Sequence, residues 1–195
     1  FLEPQLSPYK SLSTLLRFPD ARLVETWWNV YSRVDVVQSA ALRSAPGLRL
    51  GYQGSLPPQA GLTVDGDNLR GLATSPEEAG FADYLPIALA YRLRDKPNVL
   101  ILSAGGGLDV LAARQLGARS VTAVEANPLL LQAVQRYGGG LYSEPRVTVI
   151  AESERSLLRR SDERYDLIHL ALADSFHPVA AGAYSLAENY LYTVE

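Results

Sequence analysis

Two features of the 195-residue sequence could do chemistry. Gly105, Gly106 and Gly107 follow directly on the apolar run 98–103 (NVLILS) and precede a stretch with helical spacing, residues 108–116. A glycine cluster between a buried strand and a helix lets the backbone approach a ligand closely, at the carboxyl edge of a parallel sheet where such folds bind ligands. Glu125 stands twenty positions after Gly105, at the end of the run SVTAVE. That is the spacing at which a carboxylate reaches the hydroxyls of a ribose. The dinucleotide fingerprint needs a third glycine where Val110 stands, which disfavours an NAD-dependent dehydrogenase. No Lys-Ser or Lys-Thr follows the glycines, so a P-loop is excluded.

The elements that must position these residues alternate in type. After the strand at 98–103 come a helix at 108–116 closed by Gly117, a strand at 120–125, and a helix opened by Asn127-Pro128 that runs to Tyr137. A strand at 147–150, a helix at 153–160 and a strand at 165–172 follow. Alternation of this kind predicts an α/β, Rossmann-like, doubly wound parallel sheet with right-handed crossovers. Upstream, short apolar runs at 21–24, 34–37, 48–52 and 62–64 are separated by Pro46-Gly47, Gly54, Pro57-Pro58 and Asp65-Gly66, which predicts a small antiparallel β region. Ser75-Pro76-Glu77-Glu78 reads as the start of a helix running toward Tyr91, kinked at Pro86. The expected division is a small β-rich domain over 1–75 and a Rossmann-like domain over 76–195.

Composition narrows the function. With 18 Lys+Arg against 21 Asp+Glu, the chain lacks the basic balance of a nucleic-acid platform. It has no Cys and two His, so there is no disulfide, no thiolate nucleophile and no Cys- or His-rich metal cluster, and no metal is expected. No stretch reaches the 18 or more apolar residues of a membrane span, and the expectation is a soluble, cytoplasmic protein. The chain opens on Phe1, contains no Met and stops at Glu195 without a terminal signal, so it reads as a piece of a longer protein with further domains outside it.

The stretches NVLILSAGGGLDVLAARQLGARSVTAVEANPLLLQAV, PRVTVIAES and ERYDLIHLALADS resemble, in that order, the catalytic domain of the spermidine/spermine synthase family, a class I adenosylmethionine-dependent transferase fold. The upstream β region is similar to that family's N-terminal β domain, with Val64-Asp65-Gly66 resembling its Leu-Asp-Gly. The resemblance implies a co-substrate, S-adenosylmethionine or decarboxylated S-adenosylmethionine, held by Gly105, Gly106 and Gly107 at its amino-acid end. It implies ribose binding by Glu125 and an adenine contact from Glu152, which stands where the family usually has Asp. A sulfonium ligand suits a pocket with carboxylates.

On the acceptor side the sequence departs from the family. Its loop aspartate falls at Leu108, with Asp109 one place later, its Tyr-His-Glu at Phe81-Ala82-Asp83, its glutamine at Leu69 and its catalytic aspartate at Ala171. A primary amine has a pKa of about 10.4, so an amine nucleophile needs a positioned base. Asp174, which matches the second aspartate of the family's Asp-x-x-Asp, is the remaining candidate, with Asp83 as a candidate substrate contact. Asp65, Asp67 and Asp83 read as turn and surface carboxylates that could also form an acidic rim. His169 lies inside an apolar strand and reads as a satisfied core residue, while His177 falls in the loop beyond. Trp27 and Trp28 read as core and interface area.

Two readings follow. One is a transferase moving an aminopropyl or methyl group to a small-molecule acceptor such as an amine. The other is a non-catalytic nucleotide-binding or regulatory domain that has lost the polyamine site. Four strands are counted in the second domain, against about seven in the family, which leaves a sheet edge and the predicted helix 183–194 to be covered. The expected assembly is a homodimer, and a monomeric mass by light scattering at micromolar concentration would refute it.

Overall fold

The computed structural model describes residues 6–30 and 32–171. A short helix, α1 (Ser11–Leu15), precedes four strands, β1 (Arg22–Trp28), β2 (Arg33–Gln38), β3 (Gln59–Val64) and β4 (Asp67–Ala73). They form an antiparallel sheet in the order β1-β2-β3-β4. Asp65 and Gly66 both take positive φ, the geometry of the tight turn that their types favour between β3 and β4. β2 buries Val34 and Val36 on one face and Val37 on the other. Its interior Asp35 is tolerated because the Thr26 hydroxyl donates to it at 2.7 Å and Arg33 pairs with it at 2.7 Å.

The second sheet is parallel. Its strands are β5 (Asn98–Leu102), β6 (Ser120–Val124), β7 (Val147–Ile150) and β8 (Leu167–Leu170), in the order β7-β6-β5-β8. Helices α3 (Leu108–Gln115), α4 (Pro128–Tyr137) and α5 (Glu154–Arg160) alternate with them. The chain steps from β5 through β6 to β7 on one side and returns to place β8 on the other. The carboxyl end of β5 is therefore the topological switch point, where open α/β sheets have their crevice. Asn127 and Ser153 cap α4 and α5 by accepting from Leu129 N–H and Ser156 N–H. The α/β class with its preceding antiparallel β region is thus as the sequence implies.

Three local expectations are corrected. Residues 48–52 do not form a strand: Leu48 N–H bonds Ala45 and Tyr52 N–H bonds Arg49, so local turns use the donors a ladder would need, and Leu50 is fully exposed. The continuous helix from Ser75 is replaced by a turn, a 3-10 helix (Gly80–Tyr84) and a separate α2 (Ala88–Arg92), because Pro86 cannot extend the hydrogen-bond ladder. The last strand ends at Leu170 and begins at Leu167, shorter than 165–172. Strand β4, by contrast, was not expected from DNLRGLA.

One apolar cluster runs through both sheets, joining Val34, Leu62 and Leu72 to Ile101, Leu130 and Val134. On the far side of the parallel sheet, Leu100, Leu102 and Val124 pack on Leu157 of α5. The two sheets touch through backbone: Leu72 of β4 forms an antiparallel bridge with Gly107, and a Cβ on Gly106 would lie 2.3 Å from the Gly71 carbonyl oxygen. Among the described residues no helix is long and apolar enough to cross a membrane. Gly106→Ala is expected to destabilise the protein by about 1–3 kcal/mol, since backbone rather than a flexible side chain must give way. Gly80→Ala, which meets nothing within 4 Å among the described residues, serves as the control. Equal urea midpoints for the two variants would refute the close approach.

Candidate functional site

The site grows from the end of β5. Ala104 N–H bonds Val124 O at 2.9 Å, keeping the chain in the sheet for one more residue before Gly105 and Gly107 turn it with positive φ into α3. Gly107 is the N-cap of α3 and has no side chain to offer, so Asp109 is the acid in the first turn of that helix.

Glu125, at the end of β6, is 5% exposed and points into the structure. One oxygen accepts from Gly105 N–H at 3.0 Å and the other from Asn127 N–H at 2.9 Å. Arg70 of β4 completes the arrangement, with Nη1 3.5 Å from Glu125 Oε2. Burial raises the Glu125 carboxyl above its ordinary value, and the Asn127 N–H, Arg70 and Gly105 N–H all oppose that rise. Asn127 extends the network: its side chain accepts from the Asn29 amide at 3.1 Å and donates to the Ser32 hydroxyl at 3.0 Å, tying the loop after β6 to the antiparallel sheet.

Arg70 was missed in the sequence, where a single arginine between Gly66 and Gly71 carries no motif. Its guanidinium lies across the glycine loop, so that a Cβ on Gly105 would stand 2.9 Å from Nη1. It lines a cleft of about 70 Å³ with Leu69, Phe81, Leu108, Gly105 and Asp109. That free space is smaller than the ~300 Å³ at which small-molecule sites begin, because the Arg70 side chain and β4 occupy the crevice.

His169 is buried as expected, yet it is not a satisfied core residue. Among the described residues its Nδ1 has no hydrogen-bond partner, and its Nε2 faces Asp109 Oδ1 at 3.5 Å. Burial lowers the His169 imidazole below its ordinary 6.5 and raises the Asp109 carboxyl, each partly offset by the other group. Asp109 also lies near Tyr91, whose hydroxyl burial pushes upward. Asp109 and His169 together line a second cavity of about 240 Å³, so Asp109 stands between the two spaces.

The other expected residues are placed apart from this cluster. Glu152 binds Arg160 through both oxygens, Oε1 accepting from Nε at 3.1 Å and Oε2 from Nη2 at 2.6 Å, at the outer surface. Asp83 pairs with Arg92 at 3.3 Å on an exposed face. Asp65 accepts from Arg33 N–H at 2.9 Å, and Asp67 accepts from the Ser11 hydroxyl at 2.7 Å, so both serve the turn and α1 rather than a rim. Phe81, Ala82 and Ala171 are buried. Asp174 and His177, together with the predicted helix at 183–194, lie outside the described residues. Among the described residues no group of three or more His, Asp or Glu could hold a metal ion.

No protein-family model matches this chain. No curated protein matches it either. Among solved structures it is similar to a spermidine synthase from Thermotoga maritima, at 15% identity and a TM-score of 0.53 over 78% of this chain and 47% of that one. It is also similar to a spermidine synthase in complex with the transition-state analogue AdoDATO, at 14% identity and a TM-score of 0.51 over 77% of this chain and 48% of that one. The chain spans about half the length of these proteins. At these identities the likeness is one of fold, a class I methyltransferase-like α/β architecture.

The direction of the His169 shift sets a pH dependence. A buried imidazole held neutral binds a proton less readily in the folded state than in the unfolded chain, so its stabilising contribution is complete above pH 6.5 and is lost as the pH falls through and below that value. His169→Asn is expected to reduce the slope of unfolding free energy against pH in the window below 6.5 by up to ~1.4 kcal/mol per pH unit. Denaturant titrations across that window check it, and an unchanged slope would refute the assignment.

Proposed function

We propose that this chain is the donor-binding part of a transferase that takes an adenosylmethionine-type co-substrate and passes an alkyl group to a small-molecule acceptor. The observation that carries this reading is the bond from Gly105 N–H to Glu125 at the topological switch point of the parallel sheet. It joins the glycine loop to the acid after the second strand of that sheet, the two parts a nucleoside ligand needs side by side. The fold shared with the two spermidine synthase structures supports the same reading.

In the reaction proposed, a lone pair on the acceptor attacks a carbon bonded to the sulfonium. The new bond forms as the carbon–sulfur bond breaks, the electron pair returns to sulfur, and a neutral thioether leaves. The protein contributes chiefly alignment, which is where such displacements gain most of their rate. Gly105, Gly106 and Gly107 border the donor's amino-acid end and Glu125 takes the ribose hydroxyls, exchanging part of its present hydrogen bonding for them. Asp109 lies on the cleft wall nearest the donor's tail. Asp174 is the proposed proton acceptor for the attacking atom.

Leu69, Phe81, Leu85 and Leu108 give the described part of the cleft wall an apolar character. A polyamine carries several charges that such a wall cannot pair, so the acceptor proposed is not a polycation.

Calorimetric titration with S-adenosylmethionine, decarboxylated S-adenosylmethionine, methylthioadenosine and NAD tests the donor site. Binding of at least one sulfonium or methylthioadenosine ligand is expected, weakened about 10- to 100-fold by Glu125→Ala, the size of losing hydrogen bonds to a charged group. Absence of binding by all of them would overturn the proposal.

A further inference from the structure

The second cavity adjoins the cleft at the glycine loop. It lies between β8, the segment 85–87 that leads into α2, and the first turn of α3. That is the β8 side of the switch point, whereas Glu125 stands on the β6 side. Pro46, Leu85 and Asp109 line both spaces, so the two are neighbours across one wall. Apart from Asp109 and His169, the described lining is apolar, made of Pro46, Leu85, Pro86, Ile87, Ile168 and Leu170. The volume of about 240 Å³ exceeds the ~150 Å³ of a cavity that takes up benzene. Within the polar corner, Asp109 is the part-exposed member and His169 the buried one.

A buried imidazole in β8 costs free energy that a leucine there would not. Among the described residues, His169 Nδ1 and the Tyr91 hydroxyl are buried without a hydrogen-bond partner, so packing alone does not account for the polar groups gathered around Asp109. One polar corner in an apolar cavity is the arrangement that orients a small ligand. The walls suit an apolar body, the volume suits a single ring with a short substituent, and the corner suits one hydroxyl. An amine fits less well, because it is a cation at neutral pH and the donor's sulfonium would already lie beside Asp109, where like charges repel. A phenol is uncharged, and its pKa of about 10 makes its proton removable. We propose that this cavity holds the acceptor, and that the acceptor is a small uncharged phenol whose hydroxyl hydrogen-bonds the Asp109–His169 corner.

Asp109 then serves two ligands from one place. The donor's sulfonium lies toward its cleft side, and the acceptor's hydroxyl donates to it from the cavity side. Holding both partners against one residue is the alignment that a displacement needs. The oxygen–carbon bond forms as the carbon–sulfur bond breaks, and the electron pair returns to sulfur. A neutral thioether leaves, and the phenolic proton passes to Asp174, the proton acceptor proposed above. The apolar walls keep water, the competing nucleophile, away from the donor.

The inference rests on the donor-site proposal above, and the test separates the two. Calorimetry compares 4-methylphenol, toluene and putrescine, each with and without saturating methylthioadenosine. The expected result is that 4-methylphenol binds beside methylthioadenosine without competition. Toluene, which lacks the hydroxyl, binds about 10- to 100-fold more weakly, the size of one hydrogen bond to a charged group. Asp109→Ala lowers 4-methylphenol to the affinity of toluene. Ile87→Trp fills the cavity and abolishes binding of both, while its retained methylthioadenosine binding reports a folded protein. With S-adenosylmethionine or its decarboxylated form, mass spectrometry finds the corresponding ether of 4-methylphenol. Failure of 4-methylphenol to bind, equal binding of toluene or putrescine, or displacement by methylthioadenosine would overturn the acceptor cavity and leave the donor site standing. No ether from a protein that binds both ligands would overturn the acceptor role. Binding of 4-methylphenol with no binding of any donor ligand would overturn both proposals and leave a ligand cavity without transfer.

Discussion

The buried carboxylate of Glu125 is the constraint on which the arrangement of the site depends. A charge that far from water must be met by donors or it would cost several kcal/mol. The donors it finds are Gly105 N–H, Asn127 N–H and Arg70, which belong to the loop after β5, the loop after β6 and strand β4. Satisfying one side chain therefore fixes three segments. Asn127 passes the constraint on, because the residue whose N–H meets Glu125 also caps α4 and bonds Asn29 and Ser32.

The same constraint explains why the glycine loop is small on two counts. A βα turn that lets a ligand approach needs glycine, but so does a turn against which another strand's backbone lies. Here the Gly71 carbonyl fills the space beside Gly106, and Arg70 fills the space beside Gly105. In this state the glycines serve protein packing, and only movement of Arg70 would turn Gly105 toward a ligand. Glycine type alone does not separate the two uses, whereas the identity of the side chain above the loop does.

The parallel half of the fold was legible because β5 is buried and reads as a continuous apolar run, because the other strands are short runs rich in aliphatic residues, and because its helices carry their own stops and caps at Gly117, Asn127 and Ser153. The antiparallel half was less so. Residues 48–52 are apolar enough for a strand, but their donors are used in local turns, which depends on partners rather than on residue type. Strand β4 has the opposite character: DNLRGLA is poor in β-branched and aromatic residues, and it pairs because the turn at Asp65-Gly66 delivers it to β3. Glu125 and the glycines were found by spacing along the chain. Arg70 and the pairing of Asp109 with His169 were not, since each joins residues distant in sequence that no motif links.

His169 shows how the two kinds of information differ. From sequence it is a polar residue inside LIHL, and burial is the natural inference. The register that pairs Ile101 with His169 places the imidazole on the sheet face toward α3, where Asp109 waits in the first turn. Burial then acts in opposite directions on the two groups, holding the imidazole neutral and pushing the carboxyl up, so the pair shares less charge than its separation suggests. Asp109 is consequently the more adaptable anion of the cleft and Glu125 the fixed one: Glu125 is committed to backbone donors on both oxygens, while Asp109, among the described residues, faces the neutralised His169, the Tyr91 hydroxyl and two open spaces. A cationic group entering the crevice would therefore find Asp109 the easier carboxylate to recruit, and its own charge would draw that carboxyl into the ionised form.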